Sequence, residues 1–191
     1  MHHNDTMRNN DVKLRYKIGM GVLLTLAASI ASLALVVGYT ADCGPAPTLL
    51  DSAERVKAIT YRCYGPPEVL QYGDIEKPVP ASDELLVKVH AASVNPLDWH
   101  YMRGSPYLMR AMSGIGAPDS KFMGVDFAGT VEATGDEVTS FKPGDAVFGG
   151  ANGAFGEYVV IRESRAVTHK PENVSFEEAA AVPIAAITAL Q

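Results

Sequence analysis

Two short stretches of this sequence concentrate polar side chains that could take part in chemistry. The first, "NPLDWHYMRG", runs from Asn95 to Gly104, and the second, "GVDFAG", runs from Gly124 to Gly129. An amide such as that of Asn95 can donate a hydrogen bond to a carbonyl oxygen and so polarise it without a metal. The carboxyl group of Asp126 could serve in proton transfer, but in a turn it more readily accepts hydrogen bonds from backbone groups.

Cysteine pairs and metal ligands are few. The chain has two cysteines, Cys43 and Cys63, too few for a multi-disulfide framework or a four-cysteine zinc lobe. The sequence does not favour a single bridge between them, because Cys43 lies in a linker next to an apolar segment.

The net charge of −6 argues against a nucleic-acid partner, which would favour a basic face.

Short β-strands are the main elements that would position these side chains. With 191 residues, 47% of them hydrophobic, the chain can bury one ordinary core of about 100–150 residues. Apolar alternation between turn residues predicts strands at the spacing of a small antiparallel barrel or sandwich. The predicted strands are Lys57–Arg62, Glu84–Val94, Asp126–Thr134, Asp145–Gly150, Phe155–Ile161 and Ala166–Lys170.

A helix is predicted over the first polar stretch. Asn95 suits the N-cap, Pro96 suits the first helical position, and Gly104 can end the helix. Asp98 then falls near the positive end of the helix dipole, which favours its negative charge.

A second helical region opens at Ser175, where Glu178 follows three residues later as in a capping box. Pro183 should interrupt it, so we expect a short helix and then another that begins at Pro183. The sequence stops at Gln191, inside that last helix and without a cap, and we therefore expect it to continue in the natural protein.

A long apolar segment, Ile18–Tyr39, lies near the N-terminus and holds 22 residues without a charge. At about 1.5 Å per residue, a helix of this length spans about 33 Å, enough for a bilayer core of about 30 Å. The alternative is a chain secreted after cleavage of a signal, but signal cores are usually shorter. We predict an uncleaved single-pass membrane helix.

Charges on either side of the apolar segment predict its orientation. Four basic residues precede it: Arg8, Lys13, Arg15 and Lys17. The charged residues that follow it before Arg55 are all acidic, namely Asp42, Asp51 and Glu54. The positive-inside rule then places the N-terminus in the cytoplasm and the strands outside.

Several segments, in the same order, resemble one family. "KAITYRCYGPPEVLQYGDIEKPVP", "GVDFAGTVEATGDEVTSFKPGDAVFG" and "AAAVPIAAITALQ" are similar to the catalytic half of the medium-chain dehydrogenase/reductases, especially the zinc-independent, quinone oxidoreductase-like branch. The resemblance runs from about Val56 to Gln191. It implies a mainly β fold: a GroES-like antiparallel β-barrel with short helices, preceded here by the transmembrane helix.

The resemblance also bears on zinc. Zinc-dependent relatives carry a ligand cysteine where this chain has Asn95 and a ligand histidine where it has Val125. No Cys or His occurs from Pro171 to Gln191, where a third ligand would be expected. Because an open catalytic zinc site needs three protein donors and valine cannot donate, no zinc is predicted.

The resemblance implies three site residues. Asn95 would face the nicotinamide and the substrate, His100 would donate to a substrate oxygen, and Thr188 would lie beside the nicotinamide. Asn95 and His100 are thus the predicted catalytic residues, and Asn95 and Thr188 the predicted cofactor-binding residues. Each has a plainer alternative: Asn95 could only cap its helix, Thr188 could only bond back within its helix, and His100 could be a solvated helix residue.

The implied function is that of the N-terminal part of an NAD(P)H-dependent oxidoreductase that transfers hydride to a quinone, an enal or another activated carbonyl. Binding of NADP or NAD, and a homodimer, would need the doubly wound domain that follows the last helix in the family. The alternative is a membrane-tethered, non-catalytic β-barrel module. The predicted organisation is a basic tail (1–17), a transmembrane helix (18–39), a linker (40–55), a GroES-like domain (56–180) and the start of a cofactor domain (181–191).

Overall fold

The computed structural model describes the backbone of residues 2–191 and the side chains of residues 15–191. The chain divides into two compact units, Met1–Tyr39 and Thr40–Gln191. Helix α1 (His2–Gly38) forms the first unit, and its part Arg15–Gly38 is long and apolar enough to cross a membrane. A signal sequence passes the same test, so the membrane helix stays a prediction. The side chains of Arg8 and Lys13, which enter the predicted orientation, lie outside the described residues.

The second unit is built from two antiparallel sheets. Strands β1 (Arg55–Thr60) and β2 (Gln71–Glu76) form a two-stranded sheet. The larger sheet has the order β6-β3-β4-β5-β7, and every neighbouring pair in it is antiparallel. Its strands are β3 (Glu84–Ser93), β4 (Asp126–Thr134), β5 (Ala146–Gly150), β6 (Tyr158–Arg162) and β7 (Val167–His169). This curled sheet with short helices confirms the predicted mainly β class.

The largest core cluster lies on one face of the five-stranded sheet because apolar residues alternate along its strands. Leu85 and Val87 of β3 pack with Phe127 and Val131 of β4, and all four are at most 1% exposed. Lys88, on the opposite face of β3, is exposed. The strands that hold the candidate site are therefore fixed by a dense apolar cluster.

Four short helices accompany the sheets in the second unit, and two of them begin at a capping side chain, Asn95 and Ser175. They are α2 (Pro96–Arg103), α3 (Arg110–Ser113), α4 (Phe176–Ala180) and α5 (Pro183–Leu190). The predicted capping box at Ser175 and the restart at Pro183 are both confirmed. Single 3₁₀ turns lie at Pro67–Val69 and Tyr107–Met109.

The expectation against a disulfide was wrong. Cys43 and Cys63 are bridged, with their Cα atoms 4.5 Å apart. The linker is not loose at this point, because the Ala41 N–H donates to the Gly116 carbonyl at 2.8 Å. The guanidinium of Arg62 also donates to the Cys43 carbonyl, at 3.2 Å. These contacts hold the linker against the rest of the second unit, Thr40–Gln191, which we call the barrel domain or barrel after the predicted fold. They also bring the two cysteines together.

Candidate functional site

Asn95 lies where β3 leads into α2. Its backbone is extended (φ −137°, ψ 168°), and its Oδ1 accepts from the Leu97 N–H at 2.8 Å. Its own N–H donates to Asp98 Oδ2 at 2.9 Å, which completes a reciprocal capping box. The capping role of Asn95 is thus confirmed, and Nδ2 is the part of its amide that this role does not use.

The Nδ2 group of Asn95 leads to Asp126, a carboxylate that is 1% exposed. Asp126 Oδ2 accepts from Asn95 Nδ2 at 3.1 Å and from Ser93 Oγ at 3.2 Å. Its Oδ1 accepts from the Ile184 N–H, in the first turn of α5, at 3.3 Å. Burial raises the pKa of Asp126, while these three donors favour the ionised form. One carboxylate therefore ties β3, β4 and the start of α5 together.

Asp98 is a second buried carboxyl beside this network, and it is 4% exposed. Burial and the nearby charge of Asp126 raise its pKa, while the backbone N–H groups of Asn95 and Val125 favour its ionised form. Oδ1 has no hydrogen-bond partner of regular geometry among the described residues. Asp98 lines a small cavity of about 90 Å³ together with Tyr61 and Tyr101.

His100 is half-buried on α2. Its Nδ1 lies 2.5 Å from the Ser105 carbonyl, and its ring meets Trp99 edge-on with centroids 4.9 Å apart. A backbone carbonyl can only accept, so Nδ1 carries the proton and Nε2 of the neutral ring can only accept. Donation from His100 to a substrate oxygen would therefore require the charged imidazolium.

Thr188 is exposed on α5, one helical turn beyond Ile184. An open cleft of about 800 Å³ runs past the start of this helix and is lined by Leu97, Tyr101, Val125 and Ile184, among others. The lining of the cleft does not include Asn95, His100 or Thr188. The predicted roles of these three residues toward cofactor and substrate stay predictions.

Sequence reasoning missed Tyr101 and Asn152, which line both the small cavity and the cleft. Tyr101 directly follows His100, and no spacing singled it out. Asn152 lies in the glycine-rich turn Gly149–Gly156, where a polar residue between strands was the available signal. Both are therefore polar side chains that face the small cavity as well as the cleft.

The prediction that no zinc binds depends in part on Val125, which stands where zinc-dependent relatives carry a ligand histidine. Its side chain is 8% exposed and packs as an apolar residue. Across the described side chains, no three His, Cys, Asp or Glu residues come close enough together to hold a metal ion. The absence of zinc stays a prediction that metal analysis can test.

Comparisons with known proteins show similarity to alcohol dehydrogenase-like proteins and quinone oxidoreductases. Residues 81–172 match the model of the alcohol dehydrogenase GroES-like domain. The chloroplastic quinone-oxidoreductase homolog of Spinacia oleracea is 40% identical over 147 residues, which cover 73% of this chain and 42% of that protein. A zinc-type alcohol dehydrogenase-like protein of Staphylococcus aureus is 40% identical over 119 residues, which cover 60% of this chain and 32% of that protein.

A solved structure shares the fold. A mycobacterial protein complexed with NADPH is 30% identical and superposes with a TM-score of 0.58, over 70% of this chain and 38% of that one. The chain spans less than half the length of each of these three proteins.

Proposed function

Since the chain belongs to the oxidoreductase family of the quinone oxidoreductases and carries its alcohol dehydrogenase GroES-like domain, we propose that it supplies the substrate-side barrel of an NAD(P)H-dependent reductase. The proposed reaction is hydride transfer to a quinone, an enal or another activated carbonyl. The observation that supports it is the network that joins Asn95, Asp126 and the first turn of α5.

In this proposal Asn95 polarises the carbonyl of the acceptor. Nδ2 carries two hydrogens and Asp126 accepts one of them, so the other can be donated to a substrate oxygen. Asp126 is the positioning residue, because its carboxylate fixes the plane of the amide. The bound nicotinamide would supply the hydride.

The described residues fit only one end of the cofactor. Enzymes of this kind hold the pyrophosphate at a glycine-rich turn between a strand and a helix. The glycine-rich turn Gly149–Gly156 instead leads from β5 to β6. In this proposal the described residues serve the nicotinamide and substrate side, with Asn95 and Thr188 as the proposed contacts.

A non-catalytic module tethered to a membrane by α1 is the second candidate, and the disulfide favours it. Disulfides persist outside the cytoplasm, whereas reduced nicotinamide cofactors are used within it. The charge bias around α1 points to the same outer location.

The test uses the protein at its natural length and compares Asn95→Ser with Asn95→Ala. Serine retains the N-cap but lacks the amide that donates to Asp126 and, in this proposal, to the substrate. Asn95→Ser should therefore lower the melting temperature less than Asn95→Ala, which also loses the cap, yet lower kcat for quinone reduction by NADPH about 10²–10³-fold. An unchanged kcat in Asn95→Ser would show that Asn95 only caps its helix. Absence of NADPH oxidation by the wild type would favour the non-catalytic module. Metal analysis of the same preparation should find well under one zinc per chain.

A further inference from the structure

The connection between α1 and the barrel domain is very short. α1 ends at Gly38, and Thr40 already pairs with Gly116 of the barrel domain in a parallel bridge. Consecutive Cα atoms are about 3.8 Å apart, so the chain alone keeps the end of α1 within about 8 Å of Thr40. Thr40 and Gly116 therefore lie where the barrel domain begins, two residues along the chain from the end of α1.

The segment around Gly116 is firmly held. Arg110, which is 3% exposed, donates from Nη1 to Thr40 Oγ1 at 3.0 Å and from Nε to the Gly104 carbonyl at 2.9 Å. The Tyr64 hydroxyl donates to the Gly114 carbonyl at 2.7 Å. The segment from Gly104 to Gly116 is thus fixed to the point where the chain leaves α1.

The same segment exposes large apolar side chains, which we call the 107–115 surface. Its members and their exposed fractions are Tyr107 (57%), Leu108 (80%), Met112 (90%) and Ile115 (55%). Residues 104–118 contain no acidic residue, and their one base, Arg110, is buried beneath the Tyr107 ring at 4.7 Å. The surface itself is apolar, and the exposed carboxylate of Asp119 borders it beside Gly114.

We propose that the 107–115 surface rests on the lipid bilayer into which α1 inserts, an inference that depends on the proposed anchoring of α1 in a membrane. Transfer of apolar groups out of water is favourable, and an exposed cluster of this kind marks a contact site. Tyrosine suits the membrane–water interface. A membrane that holds α1 would begin two residues along the chain from Thr40, which is bonded to the segment that carries this surface.

The proposal can be tested by quenching of tryptophan fluorescence by lipids that carry bromine near the carbonyl end of their acyl chains. The full chain, carrying Trp99→Phe to remove its single tryptophan, is reconstituted in phosphatidylcholine vesicles. Leu108→Trp and Met112→Trp probe the surface, and Leu26→Trp reports insertion of α1. Val79→Trp is the matched control. Val79 is 86% exposed and follows the end of β2 at which Glu76 pairs with Arg55, whereas Tyr64, which bonds to Gly114, follows the other end of β1 at Thr60.

Interfacial apolar groups sink about 5–10 Å into the headgroup and acyl boundary, so brominated lipid should lower the fluorescence of Leu108→Trp and Met112→Trp about two-fold. Leu26→Trp should also be quenched, and Val79→Trp should not. Quenching of Leu26→Trp alone would overturn the surface proposal and leave the anchor, with another domain or a second copy covering the surface. No quenching of Leu26→Trp would overturn the anchor and this proposal together. Equal quenching of Val79→Trp would show that the contact is not confined to the 107–115 surface.

Discussion

The carboxylate of Asp126 is buried and accepts hydrogen bonds from Ser93, Asn95 and Ile184. Asp126→Ala would leave these buried donors without an acceptor, which costs about 1–3 kcal/mol of unfolding free energy. Asp83→Ala is the control, because Asp83 is half-exposed and its ion pair with Arg162 is worth about 1 kcal/mol or less. Urea unfolding measures both, and equal losses would contradict the structural role of Asp126.

Asp98 should make stability depend on pH. Burial raises its folded-state pKa, so the folded protein binds a proton more readily than the unfolded chain. Its contribution to stability then falls as pH rises from about 4 through the folded-state pKa. The wild type should therefore lose unfolding free energy relative to Asp98→Asn, which does not titrate, as the pH rises from about 4 to about 7. A difference that stays constant over this range would show that the pKa of Asp98 is not raised.

At the residue scale, the sequence predicted the features that depend on residues adjacent along the chain. The cap at Asn95 follows from Pro96 and Asp98 nearby, and it is confirmed. Tyr101 and Asn152 were missed because they share a cavity while lying about fifty positions apart. The proton position on His100 depends on the Ser105 carbonyl, which sequence spacing does not reveal.

At the scale of elements, strands and helices with clear periodicity or caps were predicted, and β2 was not. β2 contains Gly73 and Asp74, which disfavour strands, and it forms through pairing with β1. The disulfide was missed for a similar reason, because the contacts of Ala41 and Arg62 that bring its cysteines together join distant parts of the chain.

The disulfide should stabilise the barrel domain. It closes a loop across a sequence separation of 20 residues, for which restriction of the unfolded chain is worth about 3 kcal/mol. Cys43→Ser should therefore lower the unfolding free energy by about this amount, measured by urea unfolding. Dithiothreitol should lower the wild type to the level of the variant and leave the variant unchanged. A wild type as weak as Cys43→Ser without reductant would contradict a stabilising bridge.

At the scale of the whole molecule, the charge bias around α1 and the disulfide both favour a barrel domain outside the cytoplasm. This orientation conflicts with the use of NAD(P)H, which is a cytoplasmic cofactor. We expect residues 1–17 inside and the barrel domain outside. Protease added to intact cells or spheroplasts should digest the barrel while an N-terminal tag stays protected. Lysed cells serve as the control, in which both are digested. A protected barrel in intact spheroplasts would reverse the orientation, and a shortened soluble chain would show that Ile18–Tyr39 is a cleaved signal.

The bridge from Cys43 to Cys63 also gives the protein a second covalent route between α1 and the barrel. A backbone nick anywhere in residues 44–62, a stretch that includes the trypsin sites Arg55, Lys57 and Arg62, leaves the two pieces attached to each other. They part only when a thiol reductant opens the bridge. Upstream of Cys63, shedding of the domain by a single cut is thus confined to the few peptide bonds between the end of α1 and Cys43.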